Sequence, residues 1–141
     1  MDGDMIVKER LQYLRNQVKY LRDERAGLRA FDQYASDSRL RKAVERTLQV
    51  AVEACLDVAR RIIALEVYRY TVDNRDTFRV LVEEKILPPV LLDPLLEMAG
   101  FRNLIVHDYA KIDDAIVYGI LMKRLGDFDA FADAVRVYLE A

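Results

Sequence analysis

The 141-residue chain is short of the residues that cross-link or interrupt a fold. It holds one cysteine, Cys55, with three prolines and five glycines. A lone cysteine excludes an intrachain disulfide framework and a cysteine cluster for metal. So few glycines and prolines, beside 52% hydrophobic residues, exclude a disordered or low-complexity chain. No uninterrupted apolar run is long enough to span a bilayer, so no membrane role is expected. The opening stretch MDGDMIVKER carries acids and no apolar segment, so it does not read as a secretory signal. The expected compartment is the cytoplasm. A strong charge of either sign is missing too, since the formal net charge is −2. That balance does not announce a nucleic-acid binder, yet 22 Lys and Arg residues can still gather on one face. Histidine is as scarce as cysteine, and His107 is the only one.

What the chain does have is helical periodicity and enough length for one ordinary domain. Over residues 5–26, Val7, Leu11, Leu14, Val18 and Leu21 alternate at spacings of four and three. Charged residues fill most positions between, which predicts a long amphipathic helix ending near Gly27. Phe31 and Tyr34 fall in a connector. Capping residues at 36–39 open a second helix, whose stripe runs from Leu40 through Val44, Leu48 and Cys55 to Ile62 and Leu65. Ala43, Ala54, Ala59 and Ala64 keep its surface small, so it is the expected centre of a bundle. A shorter helix is expected from Asp76 to about Leu87, stopped by Pro88 and Pro89. A fourth is expected over 90–108, with Pro94 in its first turn. Asp113 and Asp114 cap a fifth, from Ala115 to Leu125, and Asp127 caps a last one carrying Phe128, Phe131, Val135 and Tyr138. The expected fold is all-α, an antiparallel bundle of five to six helices with short connections.

The stretch GFRNLIVHDY sets polar residues into the apolar fourth helix. On an ideal helix His107 lies about 140° round from Arg102 and ~7.5 Å along the axis. Asn103 and His107 share a face as an i,i+4 pair. One straight helix therefore carries a polar band rather than a compact triad. Packing alone can account for each member. A histidine near a helix end bonds the last carbonyls, an arginine can snorkel, and a tyrosine can pack with its hydroxyl bonded. Solitary His107 lacks the neighbours that a zinc site needs. Cys55, in an alanine-rich apolar context, reads as packing. The basic residues at 15, 19, 22, 25 and 29 fit a solvated helix face or a guide for RNA. Tyr68, Tyr70 and Tyr118 fit core packing or base stacking.

The segment RNLIVHDY has the form R-N-x-x-x-H-x-Y and resembles the signature of the HepT-like branch of the HEPN superfamily. ERTLQVAVEACLDVARRIIA at 45–64 is similar to that branch's central helix. DTFRVLVEEKILPPVLLDPLLEMAGFRNLIVHDY and the terminal DFDAFADAVRVYL match the following segments in order, so the resemblance covers about residues 7–140. It implies a single HEPN-like domain over 1–141, dimeric, acting as a metal-independent toxin ribonuclease of a type VII-like toxin–antitoxin pair. By the same resemblance Arg102 and His107 are the catalytic pair and Asn103 their polar support. Tyr109 matches the tyrosine that a cognate MntA-like nucleotidyltransferase antitoxin modifies with AMP.

The residue types suit that chemistry. Imidazole moves protons near neutral pH, and a guanidinium matches phosphate oxygens. A 2′-hydroxyl nucleophile makes RNA the substrate and a 2′,3′-cyclic phosphate the first product. No cofactor is called for, because ATP and magnesium belong to the partner's reaction. One imidazole per chain favours a two-fold dimer that supplies a second. The runner-up reading is a non-catalytic helical adaptor that binds a minimal nucleotidyltransferase. Asp108, Asp113 and Asp114 read as caps or solvated surface.

Overall fold

The computed structural model describes residues 2–141. Its helices are α1 (Asp2–Ala26), α2 (Phe31–Ala35), α3 (Ser38–Glu66), α4 (Asn74–Glu83), α5 (Leu92–His107), α6 (Asp114–Lys123) and α7 (Leu125–Glu140). A single 3₁₀ turn, Pro89–Leu91, leads into α5, and another, Tyr109–Lys111, follows it. Among the described residues there is no strand and no helix long and apolar enough to cross a membrane.

Local chemistry sets the helix ends. Asp37 caps α3 by accepting from the Leu40 N–H at 3.0 Å, which satisfies one orphan donor of the first turn. Asp113 does the same for α6 through the Ala115 N–H at 2.8 Å. At the far end of α3, Val67 takes a left-handed φ of 56°. Tyr68 N–H bonds the Ile63 carbonyl and Val67 N–H that of Ala64, a Schellman closure with valine where glycine is usual.

The interior follows the predicted stripes. Val7, Leu11, Leu14, Val18 and Leu21 are all buried along α1. So are the α3 residues from Val44 to Ile62 in the stripe, whereas Leu65 is 52% exposed because the last turn of α3 runs past the core. α3 is the central element, packing on α1, α2, α4, α5, α6 and α7. Phe78 of α4 meets Phe131 of α7 edge to face at 6.1 Å. Arg15 and Arg22 of α1 reach Asp133 and Asp129 of α7, the former at 3.0 Å. Those two arginines therefore join helices rather than offering a free basic face. Cys55 is fully buried, and burial pushes its thiol pKa up, consistent with packing.

Several expectations need correction. The helices number seven among the described residues, not five to six, because Phe31–Ala35 folds into α2 instead of a plain connector. Tyr34 is the reason, since it is buried and packs against Tyr118 at 5.8 Å. α4 starts at Asn74, not Asp76, because Asp73 accepts from the Asp76 N–H at 2.8 Å. Asp76 instead receives both terminal nitrogens of Arg69, at 2.8 and 2.9 Å. α4 ends at Glu83, before Pro88 and Pro89, where Lys85 turns left-handed with φ 62°. α6 stops at Lys123, and α7 begins at Leu125 with Asp127 inside its first turn, paired with Arg124 at 3.3 Å rather than capping.

Candidate active site

α5 changes character along its length. Leu95, Met98, Ala99 and Phe101 are buried, and no residue from Arg102 onward is. The polar band thus begins where the helix leaves the core. Arg102 stays half-buried because its guanidinium turns back onto α3. There Glu53 Oε2 accepts from Nε at 3.1 Å and from Nη2 at 3.0 Å. Nη1 donates to Asn103 Oδ1 at 3.2 Å. A guanidinium carries five N–H groups. Three are used by these bonds, which leaves two, one on each terminal nitrogen. That is the pairing a phosphate takes end-on.

Asn103 also accepts from Asn74 Nδ2 at 3.3 Å, and Asn74 in turn accepts from Arg60. The amide therefore ties α5 to the start of α4. His107 is the last residue of α5, exposed, and its imidazole has no hydrogen bond or ion pair to any described residue. On ideal helix geometry it stands ~7.5 Å from Arg102 along the axis. The structure places Arg102, Asn103 and His107 together on one helix end.

Tyr109 is separated from them by a break. Asp108 adopts φ −150° and ψ 53°, ending α5, and Tyr109 opens the following 3₁₀ turn. Its hydroxyl donates to Glu45 Oε1 at 2.6 Å. That bond raises the phenol pKa, with burial and the charge of Glu45 adding to it. Arg102 meets Glu53 and the later Tyr109 meets the earlier Glu45, so the chain runs antiparallel to α3 here. Asp108 pairs with Lys111 at 3.1 Å and Asp114 with Arg41 at 3.6 Å, both as partly exposed ion pairs, and Asp113 rather than Asp114 caps α6. Tyr118 packs on Phe31 at 5.5 Å, whereas Tyr70 is 97% exposed and no core contact accounts for it.

The sequence reading missed Glu45, Glu53 and Asn74. A signal existed for the first two. Glu45, Gln49 and Glu53 recur every fourth residue beside the buried stripe of α3, a polar line drawn along its apolar surface. Among the described residues no group of three or more His, Cys, Asp or Glu side chains is arranged to hold a metal ion.

A family model described as Ribonuclease HepT-like matches residues 14–135. This chain belongs to the HepT-like ribonuclease family. One HepT-like relative, an mRNA nuclease HepT of Shewanella oneidensis, is 33% identical over 104 residues, spanning 74% of this chain and 78% of that protein. A tRNA nuclease HepT of Aphanizomenon flos-aquae is 26% identical over 136 residues, 96% of this chain and 90% of that one. Among solved structures, a tri-AMPylated Shewanella oneidensis HEPN toxin in complex with MNT antitoxin superposes with a TM-score of 0.85. It is 27% identical, with 94% of this chain and 97% of that one covered.

Proposed function

We propose that this chain is the toxin of a toxin–antitoxin pair, a metal-independent endoribonuclease that works in the cytoplasm as a homodimer of one HEPN domain per chain. The observation that carries this reading is the contrast at the end of α5. Arg102 is held by Glu53 and Asn103 with two N–H groups open, while His107 is exposed and unpaired.

In the proposed reaction Arg102 binds the scissile phosphate and offsets the charge that develops on it. Asn103 keeps the guanidinium oriented. His107 of one protomer takes the proton of the 2′-hydroxyl, and the partner's His107 protonates the leaving 5′-oxygen. The phosphorus gains a bond to the 2′-oxygen and loses the one to the 5′-oxygen, leaving a 2′,3′-cyclic phosphate. Control comes from a nucleotidyltransferase antitoxin that transfers AMP from ATP to Tyr109. The half-exposed Tyr109 side chain supports that role, as does the AMPylated state of the Shewanella toxin. An adduct there brings phosphate beside Arg102 and His107 and competes with RNA.

Cleavage of end-labelled RNA in excess EDTA tests the reading, with mass spectrometry of the product ends. A cyclic phosphate is expected, and a deoxyribose at the cleaved position should stop the reaction. Cleavage at that deoxy position, or an absolute need for a divalent metal, would refute the mechanism.

A further inference from the structure

Next to the open end of α5 lies a second set of ionisable groups that RNA cleavage leaves unused. Glu45 is only 5% exposed and has no cation bonded to it among the described residues. Its carboxylate accepts the Tyr109 hydroxyl at 2.6 Å. Tyr34 of α2 is fully buried beside it with a hydroxyl that has no partner. Burial raises the Tyr34 phenol pKa, the charges of Glu45 and Asp114 raise it further, and Arg41 opposes them. Arg41 sits one turn before Glu45 on α3 and is paired with Asp114 at 3.6 Å. The groups around Glu45 are thus two phenols from α2 and the 3₁₀ turn, and an Arg–Asp pair from α3 and α6.

A buried carboxylate with no cationic partner is costly to keep, and most proteins avoid one. Here its bond reaches the oxygen that the proposed function asks to act as a nucleophile. A phenol is neutral at pH 7 and attacks poorly unless its proton is removed as the new bond forms. The bond to Glu45 favours the neutral phenol further, so the need for a base at that oxygen is greater than in a free tyrosine. A separation of 2.6 Å is within general-base reach. The hydroxyl proton points at Glu45, so that bond leaves the oxygen's lone pairs unused, on a residue that is 54% exposed.

We propose that Glu45 is the general base for AMP transfer to Tyr109, so that the toxin itself carries the base for its own inactivation. This rests on the reading of Tyr109 as the AMP acceptor. The Tyr109 oxygen forms a bond to the α-phosphorus of ATP held by the nucleotidyltransferase. The bond from that phosphorus to the bridging oxygen of the β-phosphate breaks, and pyrophosphate leaves. The phenolic proton passes to Glu45 Oε1, and the electron pair of the O–H bond stays on the attacking oxygen.

The test compares wild type and Glu45→Gln with the cognate nucleotidyltransferase, ATP and magnesium. Adducts are located by peptide mass spectrometry, and rates are measured across a range of pH. Gln keeps a carbonyl that can accept the hydroxyl but takes no proton. Thermal melting and co-elution with the partner establish that the variant is folded and bound. The expected result is transfer slowed by ~10²–10⁴-fold, the usual worth of a general base. In Glu45→Gln the remaining rate should climb about tenfold per pH unit as phenolate becomes the reacting form, a dependence shallower in wild type. If Gln does not fold, Glu45→Asp serves: it keeps the charge but withdraws it by one methylene, and should slow transfer while keeping the wild-type pH profile. An adduct on another residue of the wild-type chain refutes the Tyr109 reading. An adduct on Tyr109 that forms in either folded variant at the wild-type rate and pH dependence overturns the role of Glu45 alone.

Discussion

Substituting Glu53 by Gln separates positioning from charge at the arginine. Glu53 holds Arg102 through Nε and Nη2 at 3.1 and 3.0 Å, and the two side chains are 31% and 22% exposed. The pair is neither a free surface pair, worth ~0–1 kcal/mol, nor a sealed one whose breaking costs ~3–5 kcal/mol. A stability loss of about 1 kcal/mol is therefore expected. The effect on catalysis has two parts of opposite sign. Both bonds converge on one oxygen, so a Gln oxygen can still accept them, but only as a neutral and weaker acceptor, and the guanidinium gains rotational freedom. Misplacement of a reacting group by about 1 Å can cost ~10²-fold in rate, and kcat should fall by that order.

RNA binding should move the other way. A phosphate held end-on by Arg102 would sit ~7 Å from the Glu53 carboxylate. Coulomb repulsion at that distance and an effective dielectric of ~20 is about 2 kcal/mol, cut to ~1 kcal/mol by physiological salt. Removing the charge should lower KM about fivefold, where KM reports binding. The assay is steady-state cleavage of a fluorogenic RNA by Glu53→Gln, with thermal melting as the fold control. A folded variant whose kcat is unchanged would refute the claim that Glu53 positions Arg102. A KM that rises would refute the claim that its charge competes with phosphate.

His107→Ala and Arg102→Ala should each lower RNA cleavage by ~10²-fold or more while leaving circular dichroism unchanged, and full activity in either would defeat its role. Tyr109→Phe should resist AMP addition and stay toxic beside the antitoxin, read by growth and intact-protein mass. Asp76, held down to about pKa 2 first by its bond to Arg69 and then by the Val72 N–H, contributes stability that is full above pH 4 and lost as pH falls toward 2. Asp76→Asn should therefore flatten the fall in melting temperature over that range. Val67→Gly should raise stability by about 1 kcal/mol, because valine is strained at its φ of 56° and is 87% exposed, and a lower melting temperature would contradict this.

The motif was legible because its members are neighbours on one helix. Arg102, Asn103 and His107 carry their relation in sequence spacing alone. Their partners do not, since Glu53 lies 49 residues from Arg102 and Glu45 lies 64 from Tyr109. Periodicity finds the face of α3 that is buried, but it does not say which neighbour a charge on that face will meet. The two longest helices, α1 and α3, emerged for the same local reason, as stripes of five or more apolar positions. α2 did not, because five residues are too short to show a period, and its one buried anchor, Tyr34, looks like any connector aromatic. Asp76 reads as the start of α4, and only the Asp73 cap bond and the Arg69 pair, made from outside the helix, show that the helix begins at Asn74.

The loss of cover along α5 and the single imidazole point to the same geometry. Leu104 and Ile105 are half-buried, and Val106 and Tyr109 are 42% and 54% exposed, so apolar surface flanks the motif. Beside a two-fold axis each of these residues would meet the same patch on a second copy. That packing would turn one histidine into an acid and a base. It would also bring two Arg102 cations together, which on its own is repulsive. The Glu53 pairing answers that difficulty, because each guanidinium arrives with its carboxylate already bonded. Two cations and two anions leave the proposed cleft neutral until an RNA phosphate engages the open N–H groups. In such a dimer the carboxylate expected to weaken phosphate binding would be the one that lets the two halves of the site approach.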